Sequence, residues 1–185
     1  IRNIILYHLN FNLTEFNQQS GRVSRDGKPG KIHLLFGSSD VKINQFILDS
    51  MAPQRKVLVQ LYYVLHQSED ENQQLTLSNQ ELAARTSQRL DNKVRDNTIS
   101  AGLGILEDLG LLTRIQEAGE RTIQLHSTEQ KLDLRDSLRY QEGLEDKKAF
   151  NEFKQFALEE SPEKLLSVIN QPIYPTTAVE TKEED

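Results

Sequence analysis

The stretch "NTISAGLGILEDLGLLTRIQ" (97–116) decides how the middle of this 185-residue chain folds. Ile99, Leu103, Leu106 and Leu109 recur at helical spacing, which makes one apolar face, and Gly110 supplies the stop. Beyond the glycine, "LLTRIQ" (111–116) and "RTIQLH" (121–126) read as two strands around "EAGE" (117–120), with Gly119 in the turn. Upstream, "LSNQELAART" (77–86) sets Ser78 and Glu81 in the Ser-x-x-Glu relation of a capping box, which predicts a short helix through Leu82 and Ala83. "SQRLDNKVRD" (87–96) is the turn between these two helices. Pro53 opens "QRKVLVQLYYVLHQ" (54–67), where Val57, Leu58, Leu61, Tyr62 and Leu65 fall on the face of a core helix. The acidic run "SEDENQQ" (68–74) follows as a loop.

Three helices and then a two-stranded hairpin make a winged helix, expected over residues 53–128. The fold class expected for the whole chain is α/β plus α. Residues 1–52 read as a small α/β segment, the remnant of a larger α/β domain. "NIILYHLNF" (3–11) and "KIHLLFG" (31–37) are expected as buried strands, joined through the short helix "NLTEFNQQ" as a parallel crossover unit. "SSDVKINQFILDSM" (38–51) reads as a helix capped by Ser39 or Asp40, with Val41, Phe46, Ile47 and Leu48 as its apolar face. Residues 129–173 form a helical extension, in which Tyr140, Leu144, Phe150, Phe153, Ala157 and Leu158 keep helical spacing and Gly143 weakens the start. Ser161 then caps a helix that has Pro162 and Glu163 in its first turn. The tail 174–185 is polar and acidic, with a composition that favours disorder.

Bulk properties narrow the function classes. The chain has no Cys, which removes disulfides and thiolate metal sites and fits a reducing, cytoplasmic setting. It contains no apolar run of membrane-spanning length and no signal-peptide pattern. It starts at Ile1, which reads as a piece of something longer. The net charge of −6 is uneven: +4 over residues 1–66, −5 over 67–130 and −5 over 131–185. A polyanion would be repelled by most of such a surface, so any nucleic-acid contact has to be local.

No complete active site is legible. His8, His33, His66 and His126 have no partner at metal-ligand spacing, and the first two fall in strands expected to be buried. Phosphate-binding and dinucleotide-binding glycine loops and a nucleophile elbow are all missing. The expectation is a non-enzymatic fragment with no cofactor and no catalytic or metal-ligating residue of its own.

Two stretches resemble known families. "QQSGRVSRDGKPG" (18–30) holds Gln-x-x-Gly-Arg-x-x-Arg between two strands, and this resembles the second motor lobe of RecQ-type helicases, whose arginines stabilise a nucleotide phosphate. Here Val23 and Ser24 depart from that family's usual Gly-Arg-Ala-Gly-Arg, and the cysteine zinc site that precedes its winged helix has no counterpart. The bland alternative is a basic loop in which Arg22, Arg25, Lys28 and Lys31 supply positive charge.

The broader resemblance is to the C-terminal domain of bacterial RecJ-type single-stranded-DNA exonucleases. It is carried in order by "IILYHLNFNLTEF" (4–16), "KIHLLFGSSDVKINQFILDSMAPQRKVLVQLYYVL" (31–65), "LSNQELA" (77–83), "ILEDLGLL" (105–112) and the closing "SLRYQEGLEDKKAFNEFKQFALEESPEKLLSVINQPI" (137–173). The resemblance implies a parent enzyme that digests single strands 5′→3′ with divalent metal, Mn or Mg, in a core that this chain does not contain. It implies for this chain an accessory role in DNA repair and recombination. Partners implied are single-stranded DNA, single-stranded-DNA-binding protein and the rest of the exonuclease chain, with no membrane. Alternatives from other classes are the helicase fragment and a winged-helix transcription regulator.

A winged helix commonly lays its third helix in the major groove with the wing on phosphate. On that logic the candidates are Asn97, Thr98 and Ser100 on the helix, Arg85, Arg89, Lys93 and Arg95 before it, and Arg114 and Arg121 in the wing. Glu107 and Asp108 oppose phosphate, and a winged helix used for docking or as a spacer would need none of these contacts. Arg55 and Lys56 complete the basic first third, the place to look for a partner's acidic-hydrophobic peptide.

Overall fold

A computed structural model describes residues 1–23, 28–117, 120–128 and 132–169. Among them are seven α-helices and two small sheets, a mixed α/β architecture that is mostly helical. The chain divides into two compact units, one formed by Ile1–Phe36 with the chain from Phe150 onward and the other by Gly37–Ala149.

In the first unit, strands β1 (Asn3–Leu6) and β2 (Lys31–Leu34) pair in parallel, from Asn3 opposite Lys31 to Leu6 opposite Leu34. Helix α1 (Leu13–Ser20) connects them. Asn12 caps α1 by accepting from the Glu15 N–H at 2.9 Å, and the Glu15 carboxylate accepts from the Phe11 N–H at 3.0 Å. Leu6, Leu9 and Phe16 are buried with Phe150, Phe153 and Ala157 of the second half of α6 (Leu138–Glu159), and the Phe16 and Phe153 rings lie 5.5 Å apart. Ser161 caps α7 (Pro162–Ser167), with its Oγ accepting from the Lys164 N–H.

The expectation of buried strands is corrected here. Each strand hides one side only, and Ile5, His33 and Leu35 are exposed, as is His8. Two strands offer their inner face to the helices and leave the outer face bare, whereas extended parallel sheets are covered on both faces. The expected disordered tail (174–185) and Arg25 lie outside the described residues, as does Gly119 in the hairpin turn.

The second unit begins with α2 (Ser38–Met51) and α3 (Arg55–Ser68). The N-cap of α2 is Gly37 rather than Ser39 or Asp40, and Asp40 instead accepts from the Gly37 N–H at 2.7 Å. The apolar face expected for α2 is also corrected. Leu48 is buried, together with Asn44 and Ser50, but Phe46 and Ile47 are 36% and 40% exposed. A two-residue strand, β3 (Gln74–Leu75), precedes α4 (Asn79–Leu90), which runs further than its sequence signal. The capping box forms as expected: the Glu81 carboxylate accepts from the Ser78 N–H at 2.8 Å, and the Ser78 Oγ accepts from the Glu81 N–H. Asp91, in the left-handed region, ends α4.

Helix α5 (Asp96–Asp108) stops at Gly110, whose φ of +71° suits glycine. Strands β4 (Leu112–Glu117) and β5 (Glu120–Leu125) follow as a hairpin, and β3 adds to β5, giving the antiparallel order β3-β5-β4. Leu61, Leu65, Leu82, Ile99, Leu103, Leu112, Ile123 and Leu125 make a continuous core between these helices and the sheet. The first half of α6 meets the chain just after α2, where Gly143 lies against Ala52 and Lys147 donates to the Ala52 carbonyl at 2.6 Å.

Candidate nucleic-acid interface

The exposed side of α3 carries Lys56, Gln60, Tyr63 and Gln67 at i, i+4, i+7 and i+11, one stripe along the helix. Helix α4 lays an arginine across it. Arg89 donates through Nε to the Gln60 Oε1 at 2.8 Å and through a terminal nitrogen to the Gln67 Oε1 at 3.0 Å. Its guanidinium carbon sits 5.7 Å from the centre of the Tyr63 ring, which is 52% exposed. One turn earlier, Arg85 donates to the Ser68 Oγ at 2.8 Å. Both arginines are therefore fixed by neutral partners and keep their charge, although Glu81 lies near Arg85. Its carboxyl is held below the usual range by hydrogen bonds from Ser78 first and by the Arg85 charge last.

Toward the N-terminal end of α3 the stripe opens into a groove of about 340 Å³, lined by Phe46, Asp49, Lys56, Leu90, Lys93 and Thr98, among others. Local hydrogen bonding positions its wall. The Ser87 Oγ donates to the Ala83 carbonyl at 2.6 Å and accepts from the Val94 N–H at 2.8 Å, tying the α4–α5 loop to α4. That loop carries Lys93 and Arg95. The Arg95 guanidinium lies over the Phe46 ring, 4.1 Å from its centre. Such a cation over an aromatic face is favourable, and Arg95 is exposed. Asp49 is neutralised by Lys147 at 2.8 Å. Asp91 and Asp96 remain as opposing charges nearby, against Arg55, Lys56, Lys93 and Arg95.

The groove and the stripe thus bring together Lys56, Arg85, Arg89, Lys93, Arg95 and Thr98, with Arg55 exposed beside them. Arg22, Lys28 and Lys31 belong to the other unit, where all three are exposed. The wing cations are already engaged. Arg114 forms an ion pair with Glu107 through two nitrogens, and its backbone N–H also donates to that carboxylate at 3.0 Å. Arg121 is part-buried and donates to the Asn79 Oδ1 at 2.6 Å and the Leu77 carbonyl at 2.5 Å. Burial, and then the Arg114 charge, pull its pKa down.

Helix α5 is covered along most of its length. Ile99 and the run from Gly102 to Leu106 are buried. The Arg139 side chain lies over Gly104, and Asp108 accepts from Ser137 at 2.9 Å and from Arg139 at 3.2 Å. Asn97 and Ser100 are exposed near its start, but the Asn97 Oδ1 already accepts from the Thr98 N–H at 2.9 Å.

The histidines make other contacts or are exposed. His8 and His33 are exposed in the first unit, His66 meets Glu69 at 3.0 Å, and His126 meets Thr113 at 2.8 Å. Among the described residues, no group of three or more His, Asp or Glu side chains could hold a metal ion, and no helix is long and apolar enough to cross a membrane. The sequence pointed to most of these cations and to one outward ring of the Tyr62–Tyr63 pair, but not to Phe46 as an exposed partner. Adjacent Tyr62 and Tyr63 on an amphipathic helix were the one available signal, since two neighbours cannot both face a core. No family model, curated protein or solved structure matches this chain.

Proposed function

We propose that the chain is a non-catalytic accessory region of a RecJ-type single-stranded-DNA exonuclease, and that its second unit is a winged helix that holds DNA. The order α3, β3, α4, α5, β4, β5 supports the winged-helix reading, because this is the sequence of elements that such a module uses. The ordered resemblance over residues 4–173 supports the family. The observation that carries the DNA-holding role is the pair Arg85 and Arg89 on α4, fixed by neutral groups, with Arg95 on the loop before α5, beside two exposed aromatic rings. Catalysis, with its divalent metal, belongs to the enzyme's core outside these residues.

The exposed apolar row Ile43, Phe46, Ile47 and Met51 on α2 favours a second reading, docking of a protein such as single-stranded-DNA-binding protein. Fluorescence anisotropy of the purified chain against labelled single-stranded and duplex oligonucleotides, at two salt concentrations, separates the two. The DNA-holding role predicts binding that weakens as salt rises. Lack of binding to either oligonucleotide at low salt contradicts it and leaves the docking role.

A further inference from the structure

Resting on the DNA-holding reading, we infer that the ligand is a single strand laid along the α3–α4 face, with bases stacked on the Arg95–Phe46 and Arg89–Tyr63 pairs and phosphates on Lys56 and Lys93. Four observations carry this. First, each exposed ring has a guanidinium over it, at 4.1 Å for Phe46 and 5.7 Å for Tyr63. A planar guanidinium stacks an unpaired base as readily as an aromatic ring does, so each pair is a platform already assembled. Second, Lys56 and Lys93 line the groove beside the first platform, and neither has a side-chain partner among the described residues. Seven residues of helix separate Lys56 from Tyr63, about 10 Å of rise along one side of α3.

Third, the surfaces a duplex would need are occupied. The face of α5 beyond its first turns is buried or lies under Arg139, so α5 has only its start to offer a major groove. Wing contacts to phosphate would have to come from Arg114 and Arg121, which are held by Glu107 and by Asn79 with Leu77. Fourth, the groove holds about 340 Å³, small for a ligand cleft and suited to one nucleotide's base and sugar rather than to a folded element. Stacking uses the flat face that every base presents, so the binding is expected to tolerate any sequence.

The test uses the whole chain, a labelled twelve-residue oligo-dT and a labelled duplex of equal length, with circular dichroism on every variant to verify the fold. Phe46→Ala and Tyr63→Ala are each expected to weaken oligo-dT binding about tenfold or more. Lys56→Ala and Lys93→Ala should each lower the slope of log K against log salt by about 0.7, the single-strand value per phosphate contact. Arg95→Lys keeps the charge and loses the plane, so it should weaken binding and leave the slope unchanged. Arg114→Ala should bind oligo-dT like the parent. Oligo-dT binding that none of the α2, α3 and loop substitutions alters, or a preference for duplex, overturns this inference and leaves the DNA-holding reading standing. Absence of binding to both probes overturns the two together.

Discussion

Gly143 sits inside α6, where a glycine costs about 1 kcal/mol relative to alanine on propensity alone. The opposing term is steric. A β-carbon at this position would overlap that of Ala52, the residue that follows α2, and the contact involves backbone as well as side chain, so it cannot yield cheaply. Forcing extra volume into such a contact costs about 1–3 kcal/mol, which outweighs the propensity gain. Gly143→Ala is therefore expected to lower the thermal unfolding midpoint, whereas helix propensity alone predicts a rise; a melt followed by circular dichroism decides the sign. From the sequence, Gly143 reads as a weak start to a helix, because its reason for being glycine, Ala52, lies far away in the chain. Ser78 and Glu81 were legible for the opposite reason: the capping box closes within one turn, so its spacing alone specifies it.

Among the elements, the wing is fastened to α5 by Glu107 and Arg114, and this contact is titratable. The Arg114 hydrogen bond holds the Glu107 carboxyl below its ordinary value, against the smaller opposing effect of partial burial. With the folded value below the unfolded one, the stabilisation is fully present above the ordinary carboxylate range and is lost as pH falls through the lowered value. The side chains are about 30% exposed, so the contribution is on the order of 1 kcal/mol. Urea unfolding at neutral and acidic pH should show the parent losing that increment on acidification relative to Glu107→Gln, which lacks it throughout. Equal pH dependence in the two proteins would mean that the pair contributes nothing. Strand β3 escaped the sequence reading because two residues, Gln74 and Leu75, at the end of an acidic loop give no periodic signal. Their pairing with Gln124 and Ile123 on β5 supplies the order instead. Likewise α4 runs to Leu90 with Arg89 held by Gln60 and Gln67, contacts across helices that local patterning does not encode.

Over the whole molecule, the charge sums by thirds gave a misleading map. The basic first third is shared between two units: Arg22, Lys28 and Lys31 lie on one, and Arg55 and Lys56 on the other. Folding instead gathers Lys56 with Arg85, Arg89, Lys93 and Arg95 from the acidic middle third into a single basic face on the second unit. The mixed α/β character and both major helical regions of the described residues were visible in the periodicity, since hydrophobic spacing fixes which residues a helix buries. The pairing of Arg95 with Phe46 was not, because Phe46 was expected in the core and the loop that delivers Arg95 is set by Ser87. Where a single strand contacts the second unit distinguishes the α3–α4 face from the wing. A titration of the ¹⁵N-labelled chain with unlabelled oligo-dT, followed residue by residue by NMR, reads this most directly. Shifts concentrated at Phe46, Lys56, Tyr63, Arg89, Lys93 and Arg95, with β4 and β5 unmoved, are what the account predicts. Shifts concentrated on the β4–β5 hairpin and the start of α5, with the α3–α4 face silent, would contradict it.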